Sequence, residues 1–271
     1  MNGQTIEETG AARAEALPPP ASSLWPPDLW RERATRFAQN AAKRLLTQRL
    51  KHMTGGLEAA HIMKFLEGCG MNAATVRLTK LGWNDRLKVI HGARWGLEDK
   101  EKIKLYPGLV IPFYEGEQVV KIKIRRPDGT NPQHMTVRGS SKIVSIYGTG
   151  EKIMVTMREL DAAMLWGRFR DMGWSFLATG SVSARSCKAT HARLKEANAL
   201  AIFIENSLPG AIQFLDYWRH EYPQAFQWPL PLSWNSKTLR EAAQAGHDLG
   251  IWLEAADEYA SEQVAPAPPT I

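Results

Sequence analysis

Apolar positions change their period twice along this chain. From 27 to 53 they recur at helical spacing, with Leu29, Phe37, Ala41, Leu45 and Leu46 in a broken stripe and basic residues elsewhere. Two short helices are predicted at about 57–67 and 73–81, separated by the Gly68-Cys69-Gly70 break. In the middle the period falls to two. Residues 118–125 alternate cleanly, sending Val120, Ile122 and Ile124 to one side and Lys121, Lys123 and Arg125 to the other, a strand with a basic face. The apolar run 109–114 contains Pro112 and reads as an edge or irregular strand, and Arg126-Pro-Asp-Gly129 reads as a turn. From Lys152 onward, strands at 153–156, 175–178, 199–204 and 225–228 alternate with helices at 159–172, 189–197 and 208–221. That alternation predicts a small parallel α/β sheet, whose ligands bind at the carboxyl ends of the strands. Segments 156–161, 179–183 and 205–210 fall there.

Residues 1–27 are rich in Ala, Pro, Glu and Ser, and 257–271 close on Ala265-Pro-Ala-Pro-Pro269; both read as disordered tails. Between them the pattern predicts a basic helical arm (28–56), a basic α+β unit (57–150) and an α/β unit (151–256). The chain has 271 residues, 44% of them hydrophobic, enough for a substantial core. Its longest apolar runs fall far short of the ~20 residues that cross a bilayer. The acidic start lacks the basic and apolar regions of a secretory signal. Two cysteines, Cys69 and Cys187, exclude a disulfide framework and any zinc site built on three or four thiolates. A cytoplasmic protein with no membrane partner is expected.

Charge adds a partner. Of 34 basic and 28 acidic residues, fourteen and seven lie between Arg77 and Lys142, a local net of +7 against +6 for the whole chain. A second block runs from Arg31 to Lys51. Concentrated positive charge suits a polyanion, because neutralising phosphates releases condensed counterions; a solvated basic surface is the plainer reading. Other chemistry recedes. The seven histidines show no paired ligand spacing, and neither G-x-x-x-x-G-K-[ST] nor G-x-S-x-G occurs. Gly139-Ser-Ser-Lys142 could cradle a phosphate or be an ordinary turn. Trp83 and Trp95 could stack on bases, although core packing is the default.

The order of motifs resembles a known family. Ile153-Met-Val-Thr-Met-Arg-Glu-Leu-Asp-Ala162 resembles motif one of TOPRIM domains, a strand ending in E-G/S-x-x-D-A. Ala178-Thr-Gly-Ser-Val-Ser-Ala184 resembles the turn after the second strand, and Ala201-Ile-Phe-Ile-Glu-Asn-Ser-Leu-Pro-Gly210 the D-x-D-x-x-G motif after the third. Upstream, Gly108-Leu-Val-Ile-Pro-Phe113 followed by Val119 to Gly129 is similar to the N-terminal half of a DnaG-type primase core. Tyr222 to Pro229, and Lys237-Thr-Leu-Arg-Glu-Ala242 in place of K-D-P-G-E-A, are similar to the subgroup found in phages and mobile elements. The likeness spans roughly 57–256. It implies a TOPRIM-like small parallel sheet flanked by helices, preceded by a basic α+β primase-type subdomain.

Departures from the pattern are as informative as matches. The motif-one glutamate falls on Met157 and its small neighbour on Arg158; the D-x-D aspartates, which hold Mg²⁺ in the family, fall on Glu205 and Ser207, and the K-D-P aspartate on Thr238. Met157 offers a thioether, a poor partner for an ion that prefers hard oxygens. The ligands of the zinc ribbon that usually precedes such a core are absent. The resemblance thus implies a weak, degenerate catalytic site at Glu159, Asp161 and Glu205, with Glu205 and Asp161 as metal ligands only if the protein is active. No cofactor is expected, or Mg²⁺ if active. DNA, single-stranded or primer–template, is expected on Lys121, Lys123, Arg125, Arg126, Arg138 and Lys142, with a replicative helicase or a separate zinc-ribbon protein as further partners. Two other readings stay open: a divergent active primase making RNA primers with Mg²⁺, and a non-enzymatic protein-interaction module.

Overall fold

The computed structural model describes residues 25–48, 56–127, 130–181, 186, 188–205 and 208–264. Helix α1 (Asp28–Gln48) opens it, its Arg31 amide bonded to the Pro27 carbonyl. Its buried face is Trp30, Ala34, Phe37, Ala38, Ala41 and Leu45, while Leu29 is exposed. Phe37, Ala41 and Leu45 of the expected stripe lie on that face and Leu46 is partly buried; only Leu29 fails, its place taken by Trp30, whose indole donates to the Arg138 carbonyl at 2.9 Å. Nor is α1 an arm standing in front of the rest. It packs along β1 (Gly82–Asn84) and β5 (Gln118–Arg125), the small alanines allowing close approach.

Those strands belong to a four-stranded antiparallel sheet in the order β1, β4 (Gly108–Glu115), β5, β6 (His134–Thr136). The expectation that 109–114 forms an edge or irregular strand is corrected in its first half only: β4 is interior, between β1 and β5, but it is irregular, its register with β5 shifting between Phe113 and Tyr114. Proline is tolerated because β1 pairs only with Gly108–Val110, and Pro112 lies beyond it, opposite Ile122. Lys88–His91 (β2) and Lys102–Leu105 (β3) form a separate two-stranded ribbon.

The second sheet has the order β11 (Ala225–Gln227), β10 (Ala199–Ile202), β8 (Lys152–Thr156), β9 (Trp174–Ala178), β7 (Ser145–Tyr147). The first four run parallel, and β7 is an antiparallel edge. Helices α5 (Lys188–Glu196) and α6 (Ala211–Glu221) cover one face through Leu194, Phe214 and Trp218. The other face packs against α4 (Glu159–Phe169) and α8 (Leu249–Val264). In the same core lie α2 (Gly56–Gly68), α3 (Ala73–Leu78) and α7 (Leu239–Gln244), and this helical layer meets the inner face of the antiparallel sheet at Leu109, Ile111 and Phe113. The central strands are apolar on both faces because both are covered.

One tail expectation is corrected as well. Residues 257–264 continue α8, with Ala260 buried and Asp257 paired with Lys152. Residues 49–53 of the expected first helix, the Asp128-Gly129 tip of the expected turn, 182–185, Cys187, Asn206, Ser207, and residues 1–24 and 265–271 of the expected tails lie outside the described residues.

Candidate nucleic-acid cleft

Parallel strands bring their carboxyl ends to one side of a sheet, and here three loops meet there. Backbone bonds fasten them: Phe203 N–H to Val155 O at 2.9 Å, Thr179 N–H to Thr156 O at 3.0 Å and Gly180 N–H to Met157 O at 2.7 Å. Arg158 occupies the N-cap position of α4 with extended backbone, and Glu159 and Asp161 fall in the helix's first turn, where the macrodipole favours acids.

Arg158 reaches across to Glu205. Its Nη2 donates to Glu205 Oε2 at 3.0 Å and lies 2.8 Å from Oε1. Glu205 is only 9% exposed; burial raises its pKa, while Arg158 opposes the shift. Glu159, also buried, is paired with Lys123 from β5. Asp161, 5% exposed, has its pKa pushed up to about 6 by burial, with Arg158 and Arg240 pulling the other way and Glu205 and Glu159 adding to the rise. No group of three or more His, Cys, Asp or Glu among the described residues could hold a metal ion.

Between β5, the loop after β8 and α7 lies a cleft of about 510 Å³, bounded by Lys123, Arg125, His134, Arg158, Glu159 and Arg240. Cations outnumber acids four to one in that set. The Phe65 ring holds two of them, with the Arg125 guanidinium 4.3 Å and the Arg240 guanidinium 5.5 Å from its centroid. Burial lowers the His134 pKa, Glu159 opposes, and Arg125, Lys123 and Arg158 reinforce the drop. Gly180 closes one wall at φ +75°, and a Cβ there would meet Lys123 Nζ and lie 2.5 Å from Glu159 Oε1.

The expected six-residue basic track does not form. Lys121, Lys123 and Arg125 do share one face of β5, but that face turns toward the helical layer rather than to solvent. Lys121 is 9% exposed and donates to the Ile143 carbonyl at 3.0 Å. Arg126 lies over the Tyr106 ring, 4.8 Å from its centroid, and donates to Pro132 O. Arg138 pairs with Glu101, and exposed Lys142 lies beside Pro26 and Pro27, away from the cleft. Trp83 and Trp95 are core residues, so neither offers a stacking face. Of the expected set the cleft collects Lys123, Arg125 and Glu159, with Asp161 and Glu205 close behind through Arg158. It also holds His134, Gly180 and Arg240, which the sequence reading left without a role, although Gly180 lay in the Ala178–Ala184 motif and Arg240 in the Lys237–Ala242 motif.

No protein-family profile matches the sequence, and no curated protein is similar to it. Solved structures are. A DNA primase domain from Pseudomonas aeruginosa superposes with a TM-score of 0.60 at 11% identity, covering 86% of this chain and 82% of that one. The RNA polymerase domain of Mycobacterium tuberculosis primase DnaG, solved in complex with double-stranded DNA, gives 0.56 at 14% identity over 84% and 78%. A DnaG primase catalytic domain bound to ssDNA gives 0.51 at 11% identity over 84% of each chain. At such identities the likeness is one of fold: the chain is an α/β protein with the fold of the DnaG primase catalytic core.

Proposed function

We propose that this chain is a primase-derived DNA-binding protein that grips the phosphate backbone in the cleft between β5 and α4 with guanidinium and ammonium groups, without Mg²⁺. The observation that carries the reading is the Arg158–Glu205 pair, which engages both oxygens of the acid best placed to hold an ion. Glu159 is paired with Lys123, and burial favours the protonated form of Asp161. Such donors do not fit Mg²⁺, which requires several hard, ionised oxygens in near-octahedral array. Primer synthesis is accordingly not expected. Two of the solved neighbours contain DNA, which supports the choice of ligand. The motif likeness to phage and mobile-element primases supports a cytoplasmic role in such replication, beside a helicase or a separate zinc-ribbon protein.

The test is fluorescence anisotropy with labelled single-stranded DNA. Neutralising about four phosphates gives a slope near −3 in log K against log salt, and Arg125→Glu or Arg240→Glu lowers affinity by about tenfold or more. Primer synthesis with Mg²⁺ or Mn²⁺ that is lost in Asp161→Ala would overturn the reading in favour of an active primase using Glu159, Asp161 and Glu205. Absence of any affinity at low salt would leave a protein-interaction module.

A further inference from the structure

The β2–β3 ribbon carries cations that the cleft does not use. Arg86, Lys102 and Lys104 are exposed and Lys88 is partly so, and none of the four pairs with a carboxylate among the described residues. Nearby Lys100 and Arg138, by contrast, are held by Glu98 and Glu101. The cations crowd one another: burial lowers the Lys88 pKa, and the Arg44 and Arg86 guanidiniums lower it further, with only Asp85 opposing. Val89 stands opposite Lys104 in the ribbon, so the period of two puts Val89, Lys102 and Lys104 on the outer face and turns Ile90 and Ile103 to the core. Leu87, just ahead of β2, and Val89 are 52% and 55% exposed.

This end of the ribbon is fastened to the end of the antiparallel sheet that borders the cleft. The Asn84 side-chain amide donates to the carbonyls of Arg86 at 2.7 Å and Tyr106 at 2.6 Å, and the Arg126 guanidinium lies over the Tyr106 ring. Asn84 stands opposite Gly108, Leu109 opposite Arg125, and Arg125 opposite His134, so these residues mark one end of all four strands. β1 is two strand spacings from β5, about 10 Å. From Arg125 in the cleft, Arg126, Tyr106, Arg86 and Lys88 therefore lead round the sheet end, from the face under the helical layer to the face under α1.

We propose that the ribbon is a second contact surface for the strand that occupies the cleft: a single strand of DNA leaves Arg125, crosses the sheet end, and lays its phosphates on Arg86, Lys88 and Lys104 with base and sugar surface against Leu87 and Val89. This path rests on the cleft being the DNA site and extends it. Cations alone would suit any polyanion, a duplex included. A duplex encloses its bases, whereas a single strand offers apolar base faces beside its phosphates, and the outer face of the ribbon presents both kinds of partner.

The experiment is fluorescence anisotropy of the full chain with labelled single strands of about 4 and about 15 nucleotides, at about 0.15 M salt, where charges more than about 8 Å apart are screened, and then over a salt series. Arg86→Glu with Lys104→Glu changes two exposed side chains, so the fold is kept. It should weaken the longer strand about tenfold and flatten its salt slope by about 1.4, the share of two cations on a single strand. The shorter strand, held by the cleft, should stay within about twofold, and Arg240→Glu should weaken both lengths. Val89→Ser should weaken the longer strand about threefold with no change in slope. Unchanged affinity of the longer strand in the charge reversal overturns the path. So does an equal loss on the shorter strand, which would make cleft and ribbon one short site. A duplex of about 15 base pairs that bound as tightly and ignored Val89→Ser would overturn the choice of a single strand. Loss in the charge reversal with no response to Arg240→Glu at either length would overturn only the proposed cleft.

Discussion

The two ends of the β4–β5 hairpin use one strand face in opposite ways. At the cleft end, Lys123 meets Glu159 and Arg125 lies on Phe65, so that charge and ring each have a partner. At the other end, two residues away in the same alternation, Lys121 meets a backbone carbonyl among aromatic rings whose hydroxyls are unanswered. The period of two delivers all three cations to one side. What each does there depends on the element opposite: the first turn of α4 at one end, β7 and the middle of α4 at the other.

The largest effect should come from a matched pair of glycines. Gly180 and Gly116 both sit at positive φ, +75° and +58°, but a Cβ on Gly180 meets the Lys123–Glu159 pair, whereas nothing lies within 4 Å of one on Gly116. Gly180→Val should therefore cost about 4 kcal/mol in urea unfolding and weaken DNA binding, while Gly116→Ala costs about 1 kcal/mol and spares it. Equal losses at the two positions would mean that backbone strain, not the ion pair, governs the cleft.

Next is the pair itself. Glu159→Gln leaves the Lys123 ammonium nearly buried without a counter-charge and should lose about 3 kcal/mol, whereas the double change Lys123→Met with Glu159→Leu recovers most of it. Lys121→Met at the other end should cost about 1 kcal/mol, since the ammonium is removed together with its hydrogen bond to the Ile143 carbonyl and its contact with the Phe113 ring, and no buried ammonium is stranded as Lys123 is by Glu159→Gln. If the double change were no better than the single one, the pair would be contributing net stability rather than compensating for burial.

The smallest effect is pH-dependent. The Asp161 carboxyl has a folded pKa of about 6 against 3.8 when unfolded, so ionisation opposes folding. Stability from this group is fully present below about pH 4 and is lost as pH rises through about 6. Asp161→Asn should then stabilise the protein by about 2 kcal/mol at pH 8 and by nothing at pH 3.5, read from unfolding curves at the two pH values. Stabilisation that persists at pH 3.5 would show that packing, not charge burial, sets the effect.

Much of this was legible in sequence. The β5 alternation, the apolar runs of β8, β9 and β10 and the helices between them follow from local period, and a parallel sheet follows from their order. Asp161 and Glu205 could be placed together because loops at the carboxyl ends of neighbouring parallel strands converge. Arg240 and Phe65 could not be joined to Arg125 in the same way. They come from helices far apart in the chain, and no spacing rule connects them. The α1 stripe was legible at Phe37, Ala41 and Leu45 but not at its start, because Leu29 and Trp30 are both apolar and only the surface presented by β1 and β5 chooses between them.

By itself, then, the amino-acid order determined which positions are apolar, which are cationic, and which strand end each candidate acid follows, because these are properties of local period and chain direction. Whether the basic face of β5 would meet water or protein was decided only when the helical layer closed over it. Burial is a relation between segments distant in sequence. It turned the expected basic track into a cleft holding an ion pair at one end and a second, partly open hollow at the other.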